Sequence, residues 1–159
     1  MGEVTVLSRS GRGELIHGVQ ISPRRIIRDD RGSVRHFLRR DDPIFENFGE
    51  VYFSTIWPGV VKAWHVHKRM TLNYICVVGQ IQLVIYDGRS AGHDGPSPTY
   101  GDINVIELAD TEPDYRIVQI PPMVHNGFRA PVGWADEVIV ANCADLPHHP
   151  DEIDRYPLD

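Results

Sequence analysis

Two histidines separated by one residue, His65 and His67, stand in the segment GVVKAWHVHKRMTLNYICVVG between Gly59 and Gly79. The segment is β-like, and in an extended chain residues i and i+2 leave the same face with Cα atoms about 6.6 Å apart. Alternation with Trp64 and Val66 assigns one face to packing and the other to a pocket, so the two imidazoles share one cavity. A neutral imidazole, with an ordinary pKa near 6.5, is a fit general base at cytoplasmic pH. The competing reading is a pair of structural or surface histidines.

A second group with chemical potential is the run Arg24, Arg25, Arg28, Arg31, Arg35, Arg39 and Arg40. A guanidinium's planar fork suits two phosphate oxygens at once, so one or two of these residues could hold a phosphate-bearing small ligand. The alternative is a solvated strand and turn offset by Asp29, Asp30, Asp41 and Asp42. The chain has no Gly-x-Gly-x-x-Gly, no phosphate loop ending in Gly-Lys-Ser/Thr and no Gly-x-Ser-x-Gly, so dinucleotide redox, NTP hydrolysis and elbow-type serine chemistry lack support.

The elements that must position these residues are strands. The 14 glycines and 12 prolines fall between short β-branched or aromatic segments, the pattern of an all-β sandwich or barrel. Strands are predicted at Ile26–Ile27, Ser33–Leu38, Val51–Trp57, Val60–Val66, Asn73–Val78, Gln80–Tyr86, Asn104–Leu108, Tyr115–Ile120 and Glu137–Asn142. No window shows a helical stripe. The 159 residues, 42% of them hydrophobic, read as one domain with an N-terminal extension (1–18) and a polar tail (146–159) lying over the barrel surface or its mouth. A net charge of -6 argues against a nucleic-acid partner, and no apolar run approaches the roughly 20 residues of a membrane span. The charged N-terminal stretch points to the cytoplasm. Cys76 and Cys143 lie in apolar segments and read as core residues rather than a disulfide.

At this point the sequence resembles a family, the cupins. Gly59, His65, Val66, His67 and Gly79 reproduce the spacing of their first motif, and Pro121-Pro122-Met123-Val124-His125-Asn126 resembles the second. In metal-binding cupins a glutamate stands where this chain has Leu72, and the second motif's histidine position reads Asn126. A metal-dependent cupin using His65, His67 and His125 is one alternative, but in a strand that register turns His125 to the opposite face. No metal or cofactor is expected.

The resemblance is closer to the metal-independent dTDP-4-dehydrorhamnose 3,5-epimerase family and runs from about Val19 to Asp159. Its landmarks are Asp29-Asp30-Arg31-Gly32, Gly59-Val60-Val61-Lys62-Ala63-Trp64-His65, Ser97-Pro98-Thr99-Tyr100-Gly101, and Ile120-Pro121-Pro122 before Asn126-Gly127-Phe128. It implies an all-β cupin jelly-roll barrel, a homodimer, and a nucleoside-diphosphate sugar as substrate. It further implies His65 as general base, Asp159 as its orienting carboxylate, and diphosphate contacts from Arg31 and Lys62. His125 is carried as a substrate-binding candidate.

The chain also departs from that family. Its enolate-stabilising lysine falls at Asn73, its second-motif histidine at Asn126 and its tyrosine acid near Val140. Lys62, Asn73 and Asn126 are the candidates to hold an enolate oxygen. Tyr52, with the parity of Ser54, is preferred as replacement acid over Tyr74, whose parity opposes Asn73. Inverting a carbon requires proton removal and return on opposed faces. Two histidines on one face instead suit a 3,4-ketoisomerase, and His65-Val66-His67-Lys68 resembles the His-x-His-Lys strand of the cupin sugar ketoisomerases. A third possibility is a sugar-nucleotide-binding cupin that has lost its chemistry.

Overall fold

A computed structural model describes residues 4–7, 13–90, 95–133 and 136–158. Its strands are β1 (Val4–Leu7), β2 (Gln20–Pro23), β3 (Ile26–Asp29), β4 (Gly32–Arg35), β5 (Glu50–Ile56), β6 (Val61–His67), β7 (Leu72–Val78), β8 (Gln80–Tyr86), β9 (Ile103–Ala109), β10 (Arg116–Ile120), β11 (His125–Arg129), β12 (Val138–Ala144) and β13 (Ile153–Arg155). They form a six-stranded sheet in the order β1-β9-β8-β11-β6-β13, a five-stranded sheet in the order β2-β10-β7-β12-β5, and the separate hairpin β3-β4. All the pairings are antiparallel. From β5 to β8 the chain crosses from one sheet to the other at each connection, the winding of a jelly roll.

Side-chain alternation explains how the sheets face each other. In β8, Ile81, Leu83 and Ile85 are fully buried while Gln80, Gln82 and Tyr86 are half-buried; β9 alternates in the same way around Ile106 and Leu108. These residues meet Leu72, Tyr74, Cys76, Val118, Ile120, Val138 and Val140 from the five-stranded sheet in the main core. β10 is buried at every position because its outer face is also covered: Ile75, Tyr115, Ile117 and Ala141 pack there with Ile26, Ile44, Phe37 and Leu38. Cys76 and Cys143 are free and buried, as expected. At the β7–β8 corner, where the chain changes sheets, Gly79 adopts φ 83°, a backbone that glycine takes without penalty.

The all-β class and the strand from Gln80 to Tyr86 agree with the sequence reading, and the other predicted strands differ mainly at their ends. Ser33–Leu38 is the largest difference: β4 stops at Arg35, and Phe37 and Leu38 leave the hairpin to cover the five-stranded sheet. Four strands were not predicted, namely β1, β2, β11 and β13. β2 ends on a proline, β11 contains His-Asn-Gly, and β13 has three residues, so none carries an alternation long enough to read.

Candidate active site

β6 carries an irregularity that decides what faces the interior. His65 pairs with Asn126 of β11 and Lys62 with Phe128, so three steps on β6 oppose two on β11. One extra residue in a strand re-aims the side chains beyond it. Lys62, which simple alternation would set on the face opposite His65, therefore joins it. Gly127 opposes the bulge, and a Cβ there would lie 2.3 Å from Ala63 Cβ, so the close approach requires glycine.

Lys62, Ala63, His65 and His67 of β6 line a cavity of about 620 Å³ together with Glu50, Tyr52 and Ser54 of β5, Tyr74 of β7 and Phe128 of β11. Met70, His148, Ile153 and Arg155 complete it. The Lys62 ammonium bridges the two sheets, donating to Ser54 Oγ at 3.2 Å and to the Thr55 carbonyl. β13 pairs antiparallel with β6, Arg155 opposite His65 and Ile153 opposite His67, so the tail supplies the rim.

Both imidazoles are held toward the neutral form. Burial lowers the His65 pKa, reinforced by the positive charges of Arg155 and Lys62. Burial lowers that of His67 to about 4; Glu152 opposes this, while His65, His148 and Arg155 add to it. His67 Nδ1 is buried with no hydrogen-bond partner among the described residues. On the facing sheet, Tyr52 OH accepts a 2.9 Å hydrogen bond from Asn142 Nδ2. Burial, together with the neighbouring Tyr52, pushes the Tyr74 pKa well above the ordinary phenol value.

The structure brings together His65, His67, Lys62 and Tyr52 from the sequence-derived set, and it separates others from them. Asn73 turns to the outer face of its sheet, where its amide donates to the Cys143 carbonyl at 2.8 Å and accepts from Gln119 at 3.1 Å. That outward turn is what brings Tyr74 inside. Asn126 is buried beside His65 and donates to the His65 carbonyl at 3.1 Å, a contact that holds the strand and leaves the imidazole free. His125 lies in a different hollow, of about 830 Å³, with its ring 5.4 Å from those of Tyr86 and Tyr156, so the three imidazoles do not converge. No group of three or more His, Cys, Asp or Glu side chains among the described residues could hold a metal ion.

Arg31 projects from the β3–β4 hairpin, 85% exposed and 2.6 Å from Asp29, and lines a separate shallow groove. Arg28 and Arg39 are likewise exposed and within 4.0 Å of a carboxylate, as the solvated-face reading expects, whereas Arg35 is half-buried beside Asp110 and Arg24 is only 9% exposed against Asp42, so that reading does not extend to Arg24. Asp159 lies outside the described residues. Sequence reasoning missed Arg155, Glu50 and His148; Arg155 and Ile153 do alternate toward the cavity, but over three residues such a signal cannot be told from chance.

No family model matches the chain. It is 30% identical over 148 residues to a probable low-salt glycan biosynthesis epimerase of Haloferax volcanii, covering 91% of this chain and 89% of the relative. A dTDP sugar isomerase of Desulfovibrio desulfuricans G20 superposes with a TM-score of 0.83 at 42% identity, over 91% of this chain and 87% of that one. The dTDP-4-dehydrorhamnose 3,5-epimerase of Sulfolobus tokodaii shares the fold, with a TM-score of 0.76 at 22% identity over 91% of this chain and 80% of that one.

Proposed function

The chain belongs to the dTDP-4-dehydrorhamnose 3,5-epimerase-like family of cupins, an isomerase family, and from that premise we propose that it epimerises a dTDP-4-keto-6-deoxyhexose at C3, or at C3 and C5. The carrying observation is that one cavity has the imidazoles of His65 and His67 on one sheet and the phenol of Tyr52 on the facing sheet. Inversion needs a base and an acid on opposed faces of the reacting carbon, and this arrangement supplies both. His65, neutral, takes the proton next to the 4-ketone; Lys62, the cation between the sheets, stabilises the enolate oxygen; Tyr52 returns a proton from the other side. His67 lies deeper and keeps the base wall free of a competing charge. Asp159 remains the proposed orienting carboxylate for His65.

A homodimer is part of this reading. Val51, Phe53 and Trp57 on and beside the edge strand β5 are 44%, 65% and 66% exposed, an apolar surface suited to a second copy. Arg31, outside this cavity, would reach a diphosphate across such an interface.

The test is incubation with dTDP-4-keto-6-deoxyglucose in deuterated water, read by NMR. Deuterium at C3, or at C3 and C5, with an epimerised product is the expected outcome. Accumulation of the 3-keto sugar would instead identify a 3,4-ketoisomerase. Absence of exchange with this sugar and with its GDP, UDP and CDP counterparts would remove the epimerase reading.

A further inference from the structure

We infer that Glu50 decides which carbon reacts: its carboxylate accepts the C2 hydroxyl of the hexose and so sets C3, rather than C5, opposite Tyr52; the inference rests on the epimerase reading. Along β5, Glu50, Tyr52 and Ser54 are half-buried and line the cavity, while Val51, Phe53 and Thr55 between them are exposed. The Lys62 ammonium is tied to the end of that row by its 3.2 Å bond to Ser54 Oγ. One wall therefore presents an ammonium, a phenol and a carboxylate in order, with about 6.7 Å between successive inward positions of the strand. The phenol in the middle is held by Asn142, whose amide donates to Tyr52 OH at 2.9 Å.

Glu50 makes no hydrogen bond and no ion pair among the described residues. A carboxylate accepts hydrogen bonds and has none to donate, so it selects for a ligand group that carries a proton. The hexose can offer this wall either of two edges. With the C4 oxygen at Lys62, one edge runs from that oxygen through C3 to the C2 hydroxyl, and the other runs through C5 to the ring oxygen. Only the first ends on a donor; the second ends on an ether oxygen, which a carboxylate repels. The anomeric carbon and its diphosphate adjoin C2 and the ring oxygen alike, so they do not distinguish the two edges. From Glu50 to Ser54 the strand spans about 13 Å. Two hydrogen bonds of about 2.8 Å leave room there for the C2 and C4 oxygens and the carbon they flank.

With the sugar so placed, His65 takes the C3 proton and the bonding pair moves into the enolate, whose oxygen lies at Lys62. C3 then takes the Tyr52 proton from the opposite side, leaving an imidazolium on one wall and a phenolate on the other. Proton exchange with water resets both groups.

Two measurements on the full chain test this. First, in deuterated water the wild type should label dTDP-4-keto-6-deoxyglucose at C3 at least about tenfold faster than at C5. Glu50→Leu should erase that preference, while Glu50→Gln, which still offers an oxygen, should keep most of it. Labelling of C5 by the wild type as fast as C3, or an unchanged preference in Glu50→Leu, overturns the inference. Second, calorimetric titration with dTDP-6-deoxyglucose and with dTDP-2,6-dideoxyglucose needs no turnover. The wild type should bind the first at least about tenfold more tightly, the effect of one charge-assisted hydrogen bond, and Glu50→Leu should bind both alike. Equal affinities in the wild type, or the same difference in the variant, overturn the inference. If the wild type exchanges no sugar, the epimerase reading falls and the choice of C3 with it, whereas the titrations still decide whether Glu50 holds the C2 hydroxyl.

Discussion

Two of the places where the molecule buries ionisable groups treat them in opposite ways. Asp87, at the end of β8, has no exposed surface, and its two carboxylate oxygens accept from the Arg89 backbone and guanidinium, from Ser97 Oγ at 2.6 Å and from Thr99 Oγ1 at 2.6 Å. Burial alone would raise its pKa, but these donors outweigh burial and bring it down to about 2. In the cavity, His67 is buried without a partner for Nδ1 among the described residues, and the nearby charges of Arg155 and Lys62 disfavour the cationic form of His65. A saturated polar group fixes structure, while an unsaturated one in a cavity is available to a ligand. The Ser-Pro-Thr-Tyr-Gly segment is thereby explained as a clamp on a buried carboxylate.

Exchanging the two treatments should give opposite phenotypes. The largest effect is expected from His65→Ala, which should lower kcat/KM by about 10²–10⁴-fold. Its thermal midpoint should stay close to the wild type's, because His65 makes no side-chain hydrogen bond among the described residues. Next is Asp87→Asn, which leaves Arg89 without its counter-charge and should cost about 3 kcal/mol or more in a denaturant titration. Activity per folded molecule should survive. If Asp87→Asn abolished activity without destabilising, the contrast would fail.

Acid unfolding should resolve the two regions by pH. A neutral buried His67 contributes stability that is full above its ordinary 6.5 and is lost as pH falls toward about 4. Asp87 contributes stability that is full above 3.8 and is lost as pH falls through about 2. His67→Gln should flatten the upper phase and leave the lower one in place. The smallest effect is expected from Arg155→Ala. Removing that charge should move the acid limb of the kcat/KM profile to higher pH, because Arg155 helps keep His65 neutral.

Much of this was legible in the sequence, for identifiable reasons. The i, i+2 spacing of His65 and His67 places both rings on one face in any regular extended strand, and the structure keeps it. Tyr52 followed from its parity with Ser54, and both line the cavity. Parity failed where it lacked an absolute reference: alternation separates Asn73 from Tyr74 but does not say which faces inward, because both sides of β7 are buried. The packing of residues 37 and 38 onto the outer face settles that, and it is a long-range event. β13 was unreadable because its stability comes from pairing with β6 and from Glu152, whose carboxylate accepts from the Arg69 and Met70 backbone N–H groups at 2.7 Å.

The additional residue between Lys62 and His65 has a bearing on how such a chain can change. Shortening β6 by that one position would re-square the ladder and swing the ammonium out to water. The substrate oxygen would lose its counter-ion, although every functional side chain would still be present in the gene product. Phase along a strand is thus heritable information separate from residue identity, and a lineage can retune its chemistry by indels as well as by substitutions.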